Sequence, residues 1–279
     1  MDKVEEYTFI DCRKEGRWAN DVIKFNPDLV VYLLMDAPLN NVDALKVRKE
    51  LPKTKIVLWY ADLRDERTGR VPKIDFTDRL DRFFVTNDGQ HEFWKDKVGL
   101  EGEYLPLGCK IVPGIEYDEK YDYDVVFIGG MYDGALSRRT ELIKEIMKEV
   151  DVKLINEEDV RKRAMVYKNM PKIYCSSKIS LDISNFWDIP GYTSNRGFII
   201  PMYKGFSLTK KFPGCEKLFK EDKHKVYFNT AKEAISKIKY YLNHKAEREK
   251  IRIQGHDHAV KNHNFIKRYN KMFKKLNLK

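Results

Sequence analysis

Two adjacent glycines, Gly129 and Gly130, close the apolar run DVVFI and precede a helical stretch that opens near Ser137. Backbone without a Cβ lets an anion approach closely, and a helix N-terminus adds N–H donors and positive potential. Arg138 and Arg139 fall on the first turn of that helix, within reach of the same anion. A tight turn would use a Gly-Gly pair equally well, and that reading stays open. A second loop, Asn185–Arg196, follows the apolar run ISLDI. The hydroxyls of Thr193 and Ser194 and the planar fork of Arg196 suit a phosphate. Thr193 or Ser194 could also simply cap the next helix, worth about 1 kcal/mol.

These residues need elements to hold them. Tyr7–Ile10, Asp28–Leu34, Lys55–Tyr60 and Arg82–Thr86 read as strands, being short, β-branched or aromatic, and bounded by turn residues. Gly16–Phe25, Val42–Leu51 and Gly89–Val98 between them have helical spacing. Alternation of this kind implies a parallel sheet covered on both faces, with ligands at the carboxyl ends of its strands. Asp36, Asp62, Asn87 and His91 all fall at such ends. Leu107–Asp122 lacks periodicity and reads as a linker. Beyond it, strands are expected at Tyr123–Ile128, Val152–Ile155, Ile179–Ile183 and Phe206–Thr209. Helices are expected at Ser137–Val150, Glu157–Asn169, Ser194–Tyr203, Thr230–Asn243, Ala246–Lys261 and Phe265–Leu276.

Composition narrows the class. The chain has 279 residues, 42% of them hydrophobic and 13% aromatic, enough for one large or two smaller cores. No apolar run approaches the roughly 20 residues of a membrane span, and the start MDKVEEYTF lacks a signal-peptide pattern. Cys12, Cys109, Cys175 and Cys215 are scattered and read as reduced thiols. A soluble, monomeric, cytoplasmic protein is expected, in the host cytoplasm if the chain is viral. His244, His256, His258 and His263 lack metal-ligand spacing, and Asp118, Glu119, Asp122 and Asp124 read as solvated charge. The net charge of +10 is lopsided: Lys204–Lys279 holds 18 Lys and 3 Arg against 7 acidic residues, a local +14. A one-sided basic surface suits a polyanion, although lysines on solvated helix faces would look the same.

The order of features from Ile179 to His263 resembles the nucleotide-sugar half of the GT-B glycosyltransferases. More narrowly, it resembles the CgeB-like and group 1-type transferases. The features are a buried strand, the loop GYTSNR, a short helix, a second strand, a Pro-Gly turn, CEKLF, a third strand and two basic helices. The segments VVYLLMDAP, IVLWYADLRDE and FFVTNDG resemble that family's acceptor-side domain. The resemblance implies two Rossmann-like domains with parallel sheets facing across a cleft. Residues 1–110 would be the acceptor side and 123–261 the nucleotide-sugar side, with 262–279 a helix returning to the first domain.

Donor binding would then fall to Gly129, Gly130, Arg138, Arg139, Lys178, Gly191, Thr193 and Arg196. The donor is a nucleotide sugar, expected to be a UDP-sugar, with no obligatory cofactor or metal. The family's ribose-binding Glu has no counterpart, because no carboxylate lies between Asp188 and Glu216. Glu216 or a backbone carbonyl would have to replace it. An inverting transferase needs a base at the acceptor hydroxyl, with Asp62 the first candidate and Asp36 the second. Either carboxylate would serve equally well to cap a helix or hold a loop.

For the acceptor, the basic third and the aromatics favour a hydroxymethylated base in double-stranded DNA. Trp59, Tyr60, Phe93, Trp94 and Trp187 would stack the base, Asn87 and His91 would line the site, and Lys271, Lys274 and Lys275 would hold phosphates. A cell-surface glycan, an anionic polymer or a protein is the alternative acceptor. An inactive scaffold that binds a polyanion is the third reading.

Overall fold

Short apolar runs separated by amphipathic helices build two parallel sheets. The computed structural model describes residue 4 and residues 6–10, 18–34, 41–63, 79–134, 137–156 and 159–278. The chain divides into one unit of Met1–Pro106 with Arg268–Lys279, and a second of Leu107–Lys267.

In the first unit, β1 (Leu29–Leu34), β2 (Lys55–Tyr60), β3 (Arg82–Val85) and β4 (Glu103–Tyr104) lie side by side in chain order. Every pairing is parallel. The central strand β2 is buried from Ile56 to Tyr60, which explains its unbroken apolar run: helices cover both faces of such a sheet. Its companions are α1 (Trp18–Phe25), α2 (Asn41–Glu50) and α3 (His91–Val98). Trp18, Val22, Val47, Leu58, Phe83 and Trp94 anchor the core. The strand expected at Tyr7–Ile10 is absent; residues 6–10 form no regular structure, and Phe9 is 87% exposed. Its apolar residues have no neighbouring strand to pair with among the described residues.

The last helix, α10 (Phe265–Lys275), crosses back, and its residues from Arg268 onward group with the first unit. There the Arg268 guanidinium donates to Pro106 O at 2.7 Å. Lys271 Nζ donates to Tyr104 O at 3.0 Å, and Lys275 pairs with Glu103 at 2.7 Å.

In the second unit, β5 (Val125–Ile128), β6 (Lys153–Ile155), β7 (Ile179–Asp182), β8 (Ser207–Lys210) and β9 (Val226–Phe228) form a parallel sheet in the order β6-β5-β7-β8-β9. Around it run α4 (Ser137–Met147), α5 (Val160–Ser176), α6 (Arg196–Met202), α7 (Cys215–Leu218), α8 (Ala231–Asn243) and α9 (Lys245–Asn262). Val125, Phe127, Leu181, Phe206, Leu208 and Ile238 fill the core on one face, and Val126, Ile173, Tyr174 and Ile200 on the other. The second helix of this unit, expected to stop at Asn169, continues through Pro171 to Ser176. Burial of Met170, Ile173 and Tyr174 against the sheet outweighs the proline's local penalty.

Candidate functional site

The carboxyl edge of the second sheet gathers the charged residues. The Gly129 N–H donates to Ile155 O at 3.1 Å, tying the end of β5 to β6. A Cβ on Gly129 would lie 2.7 Å from Arg196 Nη1, and one on Gly130 would lie 2.7 Å from the Tyr132 ring. A side chain at either position would make the Arg196 guanidinium or the Tyr132 ring shift. Arg196 bridges two strand ends, donating from Nη1 to Ile128 O at 3.1 Å and from Nη2 to Ile183 O at 2.9 Å. Its guanidinium lies 5.0 Å from the centre of the Phe127 ring. Arg139 shares that ring at 5.7 Å, stands 5.2 Å from Tyr132, and donates to Gly130 O.

The electrostatics of this pair are unusual. Arg139 is 4% exposed, and the Nε atoms of both arginines are buried without a hydrogen-bond partner. Burial, and then the Arg196 charge beside it, bring the Arg139 guanidinium down to about 10. No carboxylate among the described residues pairs with either. Two desolvated like charges without a counter-ion are costly, and a bound dianion would relieve the cost.

The loop 184–196 is fixed around this pair. Gly191, at φ +69°, donates its N–H to Pro213 O at 2.9 Å. Thr193 is buried, and its Oγ1 occupies space that a side chain on Gly197 would need, 2.4 Å from the position of a Cβ there. The Ser194 N–H donates to Ser184 Oγ at 2.9 Å. The cap of α6 is Asn195, with no side-chain cap bond, so neither Thr193 nor Ser194 serves as the N-cap. Ser194 Oγ and Asn185 Oδ1 are buried without partners.

Other donor-side candidates lie apart from the arginine pair. Arg138 is stacked 4.4 Å over Trp187 and pairs with Asp188 at 3.6 Å. Lys178 precedes β7, at the amino edge of the sheet, where it pairs with Asp124 at 2.5 Å; a donor-phosphate role is corrected by that placement. Glu216 pairs with Lys211 at 2.8 Å on the short helix α7. Where the family's ribose carboxylate would fall, α6 is apolar, with Phe198, Ile200 and Met202 buried.

In the first unit, Asp62 follows β2 directly and is half-buried. Thr86 Oγ1 donates to Ala61 O at 3.1 Å. Asn87 is fully buried after β3, and its Nδ2 donates to Gln90 Oε1 at 3.1 Å. These residues share one carboxyl edge. Asp36 lies outside the described residues. His91 is held through both ring nitrogens, 2.8 Å from Gly102 O and 3.0 Å from Asp88 Oδ1.

Trp59, Tyr60 and Trp94, three of the expected base-stacking residues, are buried, while Phe93 and Trp187 are half-buried. Trp59 is 0% and Tyr60 2% exposed. The Trp59 indole N–H donates to Leu105 O at 3.0 Å, and Tyr60 packs on Trp94 at 4.7 Å. Both are core, because a strand covered on both faces leaves no side chain free. Lys271 and Lys275 are exposed but engaged as described above, and Lys274 is exposed on the same helix. Of the four histidines, His258 and His263 both place Nε2 2.9 Å from Leu218 O. They pack with Phe219 and thereby hold α9 in place.

Sequence reading missed Phe127 and Tyr132, the aromatic rings beside the two arginines; the phenylalanine of DVVFIGG was the available signal. It also missed Gln90, which orients Asn87 and which lacked a distinguishing pattern.

Residues 137–274 match a family model described as glycosyl transferase-like. No curated protein matches the chain. Among solved structures, Anabaena HepE in complex with UDP and glucose has a TM-score of 0.66 at 10% identity, covering 98% of this chain and 84% of that one. Staphylococcus aureus TarM, solved with UDP, fondaparinux and α-GlcNAc-glycerol, has a TM-score of 0.60 at 11% identity, covering 93% of this chain and 58% of that one. The pneumococcal O-GlcNAc transferase GtfA, solved with UDP and GlcNAc, has a TM-score of 0.55 at 12% identity, covering 93% and 59% respectively. The shared fold is GT-B.

Proposed function

We propose that this chain, a GT-B glycosyltransferase by its fold and by the family pattern across residues 137–274, moves a sugar from a UDP-sugar to a hydroxyl acceptor. One observation carries the reading: Arg139 and Arg196 converge over Phe127, beside Gly129 and Gly130, with no carboxylate among the described residues paired to either. A diphosphate is the small dianion that a fork of two guanidinium groups and bare backbone suits. That HepE was also solved with UDP-glucose supports uridine as the nucleoside.

The roles follow from charge flow. As the bond between the anomeric carbon and the diphosphate oxygen breaks, negative charge grows on UDP. Guanidinium groups already fixed in a dry site stabilise that charge without reorganising. The acceptor oxygen attacks the anomeric carbon as its proton leaves, and Asp62 is the proposed base. Thr193, Gly191 and the Ser194 backbone shape the loop against the phosphates.

The favoured acceptor is a hydroxymethylated base in duplex DNA, supported by the chain's +10 charge. The buried state of Trp59 and Tyr60 removes them as stacking partners. A hydroxyl on an anionic glycan polymer is the second reading, favoured by the likeness to TarM and the ligands in its structure. Radiolabelled UDP-sugars offered with hydroxymethylated DNA, unmodified DNA and a glycan panel separate the two. Label retained only by glycans would retire the DNA acceptor, and absence of any UDP binding would retire the transferase.

A further inference from the structure

Arg139 is central to the donor reading, yet it is almost wholly buried, at 4% exposed. A diphosphate reaches such a guanidinium only when a group covering it moves aside. The rings near Arg139 differ in their freedom to do so. Phe127, 5.7 Å away, is sealed in the core at 0% exposed, and Tyr192 is buried too. Tyr132 is the exception. Its ring stands 5.2 Å from the guanidinium and is 46% exposed, so it lies on the outer side of that group.

The same ring turns back over Gly130. A Cβ on that glycine would lie 2.7 Å from both Cζ and the hydroxyl oxygen of Tyr132. The phenol therefore sits against the bare backbone where the donor reading puts the phosphates, and the two exclude each other. Its main chain is pinned: the Thr140 hydroxyl accepts from the Tyr132 N–H at 2.9 Å and donates to Tyr132 O at 2.7 Å. Rotation about χ1 and χ2 is what remains, and exposed side chains change rotamer within ps to ns. Burial first, then Arg196, lower the Arg139 guanidinium, and Tyr132 acts in the opposite sense. A phosphate would act in that sense more strongly, because a charge-assisted hydrogen bond exceeds a cation–π contact. An anion of this kind can displace the ring, whereas a neutral ligand has nothing to offer in exchange.

We infer that Tyr132 is a displaceable cover on Arg139 and Gly130, its phenol holding a phosphate position and turning aside when a nucleoside diphosphate enters. The inference rests on the donor reading above and adds to it the residue that sets how readily phosphate is admitted. Uridine, which has no phosphate, leaves the ring in place.

Calorimetric titration of UDP and of uridine into the wild type, Tyr132→Ala and Tyr132→Phe tests it, with circular dichroism as the check on folding. Removing the ring should tighten UDP binding about three- to tenfold, because one cation–π contact no longer has to be broken. Uridine binding should stay unchanged in Tyr132→Ala, and Tyr132→Phe, which keeps the ring, should stay near the wild type with both ligands. A second readout follows the motion and removes no side chain: 3-fluorotyrosine in place of Tyr132 should show a fluorine NMR shift with UDP and none with uridine. Equal or weaker UDP binding by Tyr132→Ala would overturn the inference and leave the donor reading standing, as would a fluorine signal unmoved by saturating UDP. A gain for uridine as large as that for UDP would overturn it too. UDP bound by neither the wild type nor Tyr132→Ala would remove the donor reading and this inference with it.

Discussion

Arg196 has a structural duty as well as a charge. Its two donors hold the carbonyls that end β5 and β7, so truncation to Ala would leave buried acceptors unpaired, at about 1–3 kcal/mol. Arg139 is the cleaner probe, since it donates to Gly130 O and does not tie two strand ends together. Arg139→Met should raise the Kd for UDP by at least about tenfold, the value of roughly one charge-assisted hydrogen bond, with only a small change in Tm. Asp62→Asn should lower kcat by about 100-fold or more while leaving the Kd for UDP unchanged. Unaltered turnover in that variant would move the base elsewhere. The glycine pair, both arginines and the GYTSNR loop were legible in sequence because backbone chemistry at a strand end is local. The role of Lys178 was not, since only the sheet shows which end of a strand a flanking residue occupies.

His224 gives a test by pH. Burial first, then His258, Lys223 and Lys220, bring its imidazole down to about 4. Its Nδ1 accepts from the Lys220 N–H at 3.2 Å, which a protonated ring nitrogen could not do. The unfolded chain therefore takes up the proton first, near the ordinary value of about 6.5. The stabilisation is complete above that pH and is lost as the pH falls from there towards 4. Between pH 7.5 and 4.5, wild-type Tm should fall more steeply than that of His224→Asn; parallel curves would contradict the assignment.

At the scale of elements, periodicity located most strands and helices, because their apolar residues face a core. It failed where context overrode local signals. Tyr7–Ile10 has strand-like residues but no paired neighbour, and α5 runs through Pro171 because its far side is buried. Helix α9 shows a packing constraint invisible in sequence. A Cβ on Gly255 would lie 2.3 Å from His224 O, so the glycine sets how closely α9 approaches the segment before β9. Gly255→Ala should cost about 1–3 kcal/mol through that clash, read as a lower midpoint in urea. An unchanged midpoint would show that α9 can shift without penalty.

Over the whole molecule, net charge was a poor guide to where positive potential lies. The basic third from Lys204 onward spends much of its charge internally: Lys211 on Glu216 and Glu221, Lys225 on buried Asp182, Lys237 on Glu233, and Lys275 on Glu103. The Arg139–Arg196 pair, outside that third, has no carboxylate paired to it among the described residues. A residue count cannot distinguish paired from unpaired lysines; coordinates can. The central claim is that the arginine pair exists to hold a diphosphate, and calorimetric titration of UDP into wild-type protein and the folded Arg139→Met variant tests it most directly. Binding to the wild type, weakened at least about tenfold in the variant, is the expected result. Equal affinity in both proteins, or no heat from either, would contradict it.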